Sequence, residues 1–114
     1  MKLLQDDKLA FLDGQGLCVW DTKANDRKHI WSEERGFAEF TTNFRRDLLA
    51  VAEYAMNPPV HLYDAQLNHL HTFKNLCDLD ISDLYIEYNG NYLVVVTGCP
   101  NYDIRICDIK EKTM

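Results

Sequence analysis

Very little in this chain of 114 residues invites a chemical reading at first sight. Serine occurs only at positions 32 and 82, and neither lies in the Gly-x-Ser-x-Gly setting of a hydrolase nucleophile. Basic residues are few: 12 Lys and Arg stand against 18 Asp and Glu, for a net charge of −6. Nucleic-acid affinity rests on clustered cations, and the nearest approach to a cluster is Arg45-Arg46, so no nucleic-acid partner is expected. No apolar run nears the roughly 20 residues that a membrane helix requires, and "MKLLQDDK" lacks the apolar stretch of a secretory signal. Neither a membrane partner nor export is expected. The four cysteines (Cys18, Cys77, Cys99 and Cys107) have no Cys-x-x-Cys spacing, which argues against zinc knuckles and redox motifs. They read as reduced thiols in a cytoplasmic compartment. Helical periodicity is also missing. The longest candidate, Thr42 to Tyr54, is continuously apolar from Leu48 to Ala52, and Pro58-Pro59 would stop any helix there.

Strand signals are dense instead. "KLAFLD", "GLCVWD", "LLAVAE", "VHLYD", "YLVVVT" and "DIRICDI" are short apolar, β-branched or aromatic runs bounded by Gly, Pro, Asn and Asp. Asp13-Gly14-Gln15-Gly16 and Asn89-Gly90 read as hairpin turns, because these residues accept positive φ. Met56-Asn57-Pro58-Pro59 and Cys99-Pro100-Asn101 fill the corresponding place between later strands.

Three of these strands end alike: Trp20-Asp21, Tyr63-Asp64 and Cys107-Asp108, with the aspartates 43 and 44 residues apart. In that register Leu49 matches Leu93, Val51 matches Val95, Phe40 matches Leu84, Val60 matches Ile104, and Leu62 matches Ile106. Each Asp opens a turn whose backbone N–H groups its carboxylate can accept. The outer strands would be "RKHIWSEE" and "NHLHTFK". A repeat of about 40–45 residues, with four strands and a Trp-Asp ending, marks a β-propeller blade. The chain therefore resembles the WD-repeat family. Its Trp is replaced by Tyr63 and Cys107 in later units, and the family's Gly-His pair is absent. These departures imply blades without the family's usual His–Ser–Asp–Trp hydrogen-bond network.

The expected fold is all-β: antiparallel four-stranded propeller blades, about two and a half of them, forming an incomplete propeller over residues 1–114. Residues 1–34 would be an incomplete blade lacking its first strand, 35–74 a complete blade, and 75–114 a blade lacking its outer strand. Closed propellers need roughly 4–8 blades, so apolar faces should stand bare at both ends. The remaining blades, or a second chain, would then be partners.

Within the family, "LLAVAEYAMNPPVHLYD" and "FKNLCDLDISDLYIEYNGNYLVVVTGCPNYDIRICDI" are most similar to the cilia- and flagella-associated WD-repeat proteins, type forty-three or its forty-four and fifty-seven relatives. That resemblance implies a scaffold of the ciliary axoneme and its cytoskeleton, with dynein-tether components as partners. Other function classes are a propeller segment regulating an enzyme, or an adaptor of a coat or ubiquitin-ligase assembly.

His69 and His71 would share one strand face with His61 on the other, giving surface histidines and no metal site. Asp78, Asp80, Ser82 and Asp83 begin like a calcium loop, but Asp83 stands where Gly is required. Asp47, Glu53 and Asp103 show no pairing that suggests acid–base catalysis. No catalytic residue, cofactor or metal is expected. Tyr54 and Tyr102, beside loops at blade rims, are the candidates for contact with a partner protein.

Overall fold

Short apolar runs separated by turn residues favour antiparallel hairpins, and eleven strands form among the described residues. The computed structural model describes residues 2–4, 8–13, 16–77, 80–98 and 102–113. The first sheet holds β1 (Lys2–Leu4), β2 (Lys8–Asp13), β3 (Gly16–Asp21) and β4 (Asp26–Trp31) in chain order. The second holds β5 (Phe37–Asn43), β6 (Leu48–Glu53), β7 (Val60–Asp64) and β8 (His69–Phe73). The third holds β9 (Ile81–Ile86), β10 (Tyr92–Thr97) and β11 (Ile104–Asp108). This is a partial β-propeller, with the three sheets stacked as successive blades.

The repeat seen in the sequence is also a repeat of register. Lys8 pairs with Asp21, Leu48 with Asp64, and Tyr92 with Asp108. Phe40 pairs with Val51 as Leu84 does with Val95. The first sheet corrects one expectation: it does have a first strand, with Lys2, Leu3 and Leu4 opposite Ala10, Leu9 and Lys8. Three residues carry too little alternation to announce a strand, and only pairing with β2 makes them one. At the other end, Asp108 bridges Thr113 across the same five-residue interval that separates Asp21 from Asp26. Thr113 therefore stands where a fourth strand would begin.

Turns follow local chemistry. Glu87 N–H donates to Tyr92 O across the Asn89-Gly90 turn, and Gly90 has φ +76°. The Glu87 carboxylate accepts the Asn89 and Asn91 N–H groups, which holds its pKa below the usual carboxylate value. Asn57 takes a positive φ in the loop containing Pro58-Pro59. The Gly14-Gln15 turn and Cys99-Pro100-Asn101 lie outside the described residues. Gly16 is needed for a different reason: a Cβ there would lie 2.6 Å from the Trp31 ring and 2.9 Å from Ile30 O.

Two apolar clusters fill the gaps between sheets. Leu4, Ala10, Leu17 and Val19 of the first sheet meet Phe40, Leu49 and Val51 of the second. Ala50, Ala52, Val60 and Leu62, on the opposite face of the second sheet, meet Leu84, Leu93, Val95 and Cys107 of the third. The middle sheet is thus apolar on both faces, as a blade buried on both sides must be. The first strands β1, β5 and β9 lie side by side, which places the sheets around a common axis. Asn43 bolts the second sheet to the third. Its Nδ2 donates to Glu87 O at 2.7 Å and to Tyr88 O at 3.2 Å, and its Oδ1 accepts Arg46 N–H at 2.9 Å.

Candidate functional site

The repeat aspartates sit at one rim and close its turns. Asp21 Oδ1 accepts the N–H groups of Lys23 and Ala24, each at 3.1 Å. Asp64 Oδ1 accepts those of Gln66 and Asn68, each at 2.9 Å. Asp108 Oδ1 accepts Glu111 N–H at 2.9 Å. The residue before each Asp points toward the preceding sheet. Cys107 is fully buried there, and burial pushes its thiol up to about 11. Tyr63 packs against the cluster between the first two sheets, and burial raises its phenol pKa. Trp20 has no preceding sheet. It remains half-buried, with its Nε1 donating to Asn25 Oδ1 and the Arg27 guanidinium 5.1 Å from its ring.

At the opposite rim, the loop joining the first two sheets carries Ser32. Its Oγ accepts the Glu34 and Gly36 N–H groups, each at 3.0 Å. Its proton goes to Glu53 Oε2 at 2.5 Å. Glu53 is 3% exposed, and its Oε1 lies 3.6 Å from His61 Nε2. His61 Nδ1 meets Thr72 Oγ1 at 2.8 Å, and His69 Nε2 meets the same oxygen at 2.7 Å. Burial lowers the His61 pKa and outweighs the attraction of Glu53. His61 is therefore neutral at pH 7, and one proton order fits these hydrogen bonds. His69 donates to Thr72, Thr72 to His61 Nδ1 and Ser32 to Glu53, while His61 Nε2 faces Glu53 at 3.6 Å, beyond hydrogen-bond range.

This network corrects the expected histidine geometry. In a two-residue turn after Asp64, His61 would oppose Leu70 and face away from His69. Instead the turn is longer, and a bulge between Leu62 and Tyr63 pairs Tyr63 with His69, Leu62 with His71 and His61 with Thr72. The extra residue flips the alternation, which is what a bulge does. His61 and His69 then share a face, with ring centroids 6.1 Å apart, while His71 turns to the other side against Phe73. Among the described residues no group of three or more ligating side chains gathers at a metal-binding distance. The sequence reading missed Glu53 and Ser32 as partners of His61, since they come from a loop and a strand far apart in the chain. Asp83 Oδ1 accepts Leu84 N–H, and Ser82 donates to Val96 O, so Ser82 and Asp83 belong to β9. Asp78 lies outside the described residues. Glu53 approaches neither Asp47 nor Asp103; the latter forms an exposed pair with Arg105 at 3.8 Å.

The same rim carries both tyrosines picked out in the sequence. Tyr54 follows β6 and Tyr102 precedes β11, on loops that leave parallel-running second strands at the same end of the stack. They are 57% and 69% exposed. Tyr54 N–H is pinned to Gly36 O at 2.8 Å, and Met56 beside it is 75% exposed. Tyr54 and Met56, with Glu34, Arg35, Glu53 and Asp80, line a shallow cleft of about 600 Å³, and Tyr102 is not part of its lining. A neighbouring cleft of about 550 Å³ runs over Glu33, His61, His69 and Lys74. The rim is a rigid acidic surface with apolar protrusions.

No protein-family model matches the sequence, and no curated protein matches it. Solved structures do resemble the fold. U3-55K, a WD-repeat protein, superposes with a TM-score of 0.78 at 13% identity. The match covers 97% of this chain and 36% of the U3-55K chain, so the chain spans about a third of that neighbour's length. The shared feature is the propeller fold.

Proposed function

We propose that this chain is a non-catalytic protein-interaction scaffold of WD-repeat type, which docks partner proteins on the rim that carries Tyr54, Met56 and Tyr102. One observation carries the reading: large apolar side chains stand exposed over an acidic cleft whose loops are fixed by Ser32, Glu53 and Gly36. Exposed aromatics on a preorganised frame bind partners at low entropic cost. The charge of the cleft suits a partner segment with Lys or Arg beside an apolar side chain.

The finer reading is a scaffold of the ciliary and flagellar axoneme, cytoplasmic and cytoskeletal, with dynein-tether components as partners. Its support is the sequence resemblance of Leu48 to Asp64 and Phe73 to Ile109. The thiols of Cys18 and Cys107, buried and outside any disulfide, suit a reducing compartment. The test is affinity capture from isolated axonemes with the unmodified chain and with a Tyr54→Ala, Tyr102→Ala variant. Tether components retained by the first and lost by the second are the expected result. An identical set of proteins on both, or a tagged chain excluded from cilia, refutes the proposal.

A further inference from the structure

The groove of about 550 Å³ beside the Tyr54 cleft is formed by the second sheet and by the loop that joins it to the first. Three carboxylates line it, Glu33, Glu34 and Glu53, against the single ammonium of Lys74. One wall is made of flat rings. Tyr63 and His69 meet edge to face with centroids 5.4 Å apart, and His61 stands 6.1 Å from His69. Glu53 is the unusual member. Its side chain is only 3% exposed, yet it lines the groove. Its Oε2 accepts the Ser32 hydroxyl. Among the described residues no donor reaches Oε1 within hydrogen-bond distance; His61 Nε2 stands 3.6 Å from it. No Lys or Arg of the described residues pairs with Glu53, and a neutral His61 does not cancel its charge. A buried carboxylate with one open oxygen is costly unless a cationic donor reaches it.

We propose that this groove takes an arginine side chain of the partner protein, whose guanidinium donates to Glu53 Oε1 and lies against the rings of Tyr63 and His69. The inference rests on the reading of this rim as a docking surface, and names what the partner must present there. Charge selects a cation, since three carboxylates outweigh one ammonium. Burial and the ring wall select arginine over lysine. A guanidinium is more weakly hydrated than an ammonium, so it is easier to bring beside a buried carboxylate, and its plane stacks on aromatic faces. Its five donors also allow a second bond to Glu33 or Glu34, whose exposed carboxylates attract the cation to the opening.

Nuclear magnetic resonance of the full chain, titrated with N-acetyl-argininamide near neutral pH, tests this. Saturable shifts are expected at the amides of Ser32, Glu33, Glu53, His61 and His69. N-acetyl-lysinamide should bind at least about 5-fold more weakly, because it lacks the stacking plane. Glu53→Gln keeps the shape and removes the charge, and should weaken binding by more than about 10-fold, the loss of one hydrogen bond to a charged group. The spectrum of that variant shows whether it has folded; Glu33→Gln, at an exposed position, is the second variant and should weaken binding about 2-fold. The Tyr54→Ala, Tyr102→Ala chain should bind the arginine amide unchanged, since neither side chain lines this groove. Normal amide binding by a chain that captures no partner protein would fail the docking reading alone. Absent or scattered shifts, shifts untouched by Glu53→Gln, or a lysine amide that binds equally well overturn the arginine site, whatever the capture experiment returns.

Discussion

Asn43 offers the sharpest test of how the sheets are held together. Replacing it with alanine removes three hydrogen bonds at once: two that cross from the second sheet to Glu87 O and Tyr88 O, and one that closes the turn at Arg46. The residue is only 6% exposed, so water cannot readily take over these partners. At about 1 kcal/mol net per bond, and with buried groups left unsatisfied, the cost should be about 2–3 kcal/mol. In a domain of this size that lowers the melting temperature by roughly 8–12 °C. Arg46 provides the control. Its Nε bridges the same gap to Asn89 O at 2.9 Å, but the bond is exposed. Arg46→Ala removes that bond without touching the Arg46 N–H, and should cost under about 1 kcal/mol. Urea unfolding at one fixed protein concentration, followed by tryptophan fluorescence and circular dichroism, measures both. The reasoning is refuted if Asn43→Ala costs no more than Arg46→Ala.

Three other outcomes follow from the same structure. Leu62→Ala, at a fully buried position between the second and third sheets, should cost about 2–5 kcal/mol, whereas Ile106→Ala on the bare face should cost the isolated monomer under about 1 kcal/mol; urea midpoints give the comparison. Gly16→Ala should destabilise by more than about 1 kcal/mol, because the added carbon meets Ile30 O and the Trp31 ring, and a melting curve showing no loss would contradict that packing. His61 has a folded-state pKa below its unfolded value, so the unfolded chain takes up a proton first on acidification. Its contribution is complete above about pH 6.5 and is lost as pH falls from there toward the folded pKa; His71 adds the same sign. A pH series of unfolding free energies should show this slope, and His61→Gln should flatten it.

Much of the fold could be read along the chain because each hairpin is a local object. The apolar and β-branched runs "LLAVAE", "VHLYD" and "YLVVVT", and turn chemistry at Asn57 and Asn89-Gly90, depend on neighbours a few residues away. The 43- and 44-residue spacing of Asp21, Asp64 and Asp108 carried the register as well, since a one-residue slip would have moved every apolar side chain to the wrong face. Histidine geometry was not legible, because the bulge between Leu62 and Tyr63 changes a single residue's count and moves His69 from the face of His71 to that of His61. Strand β1 was too short to show a period.

What the sequence determined by itself, then, was the set of strands, their blade-like grouping and the apolar character of both faces of each sheet. These follow from local sterics and from the alternation of side chains about an extended backbone. Only the tertiary structure decided which buried groups meet. Ser32, Glu53 and His61 join from three separate segments, and Asn43 reaches Glu87 across 44 residues of chain. A carboxylate or amide can be satisfied by any suitable partner, so its choice is made by the stacking of the sheets and leaves no periodic mark along the chain.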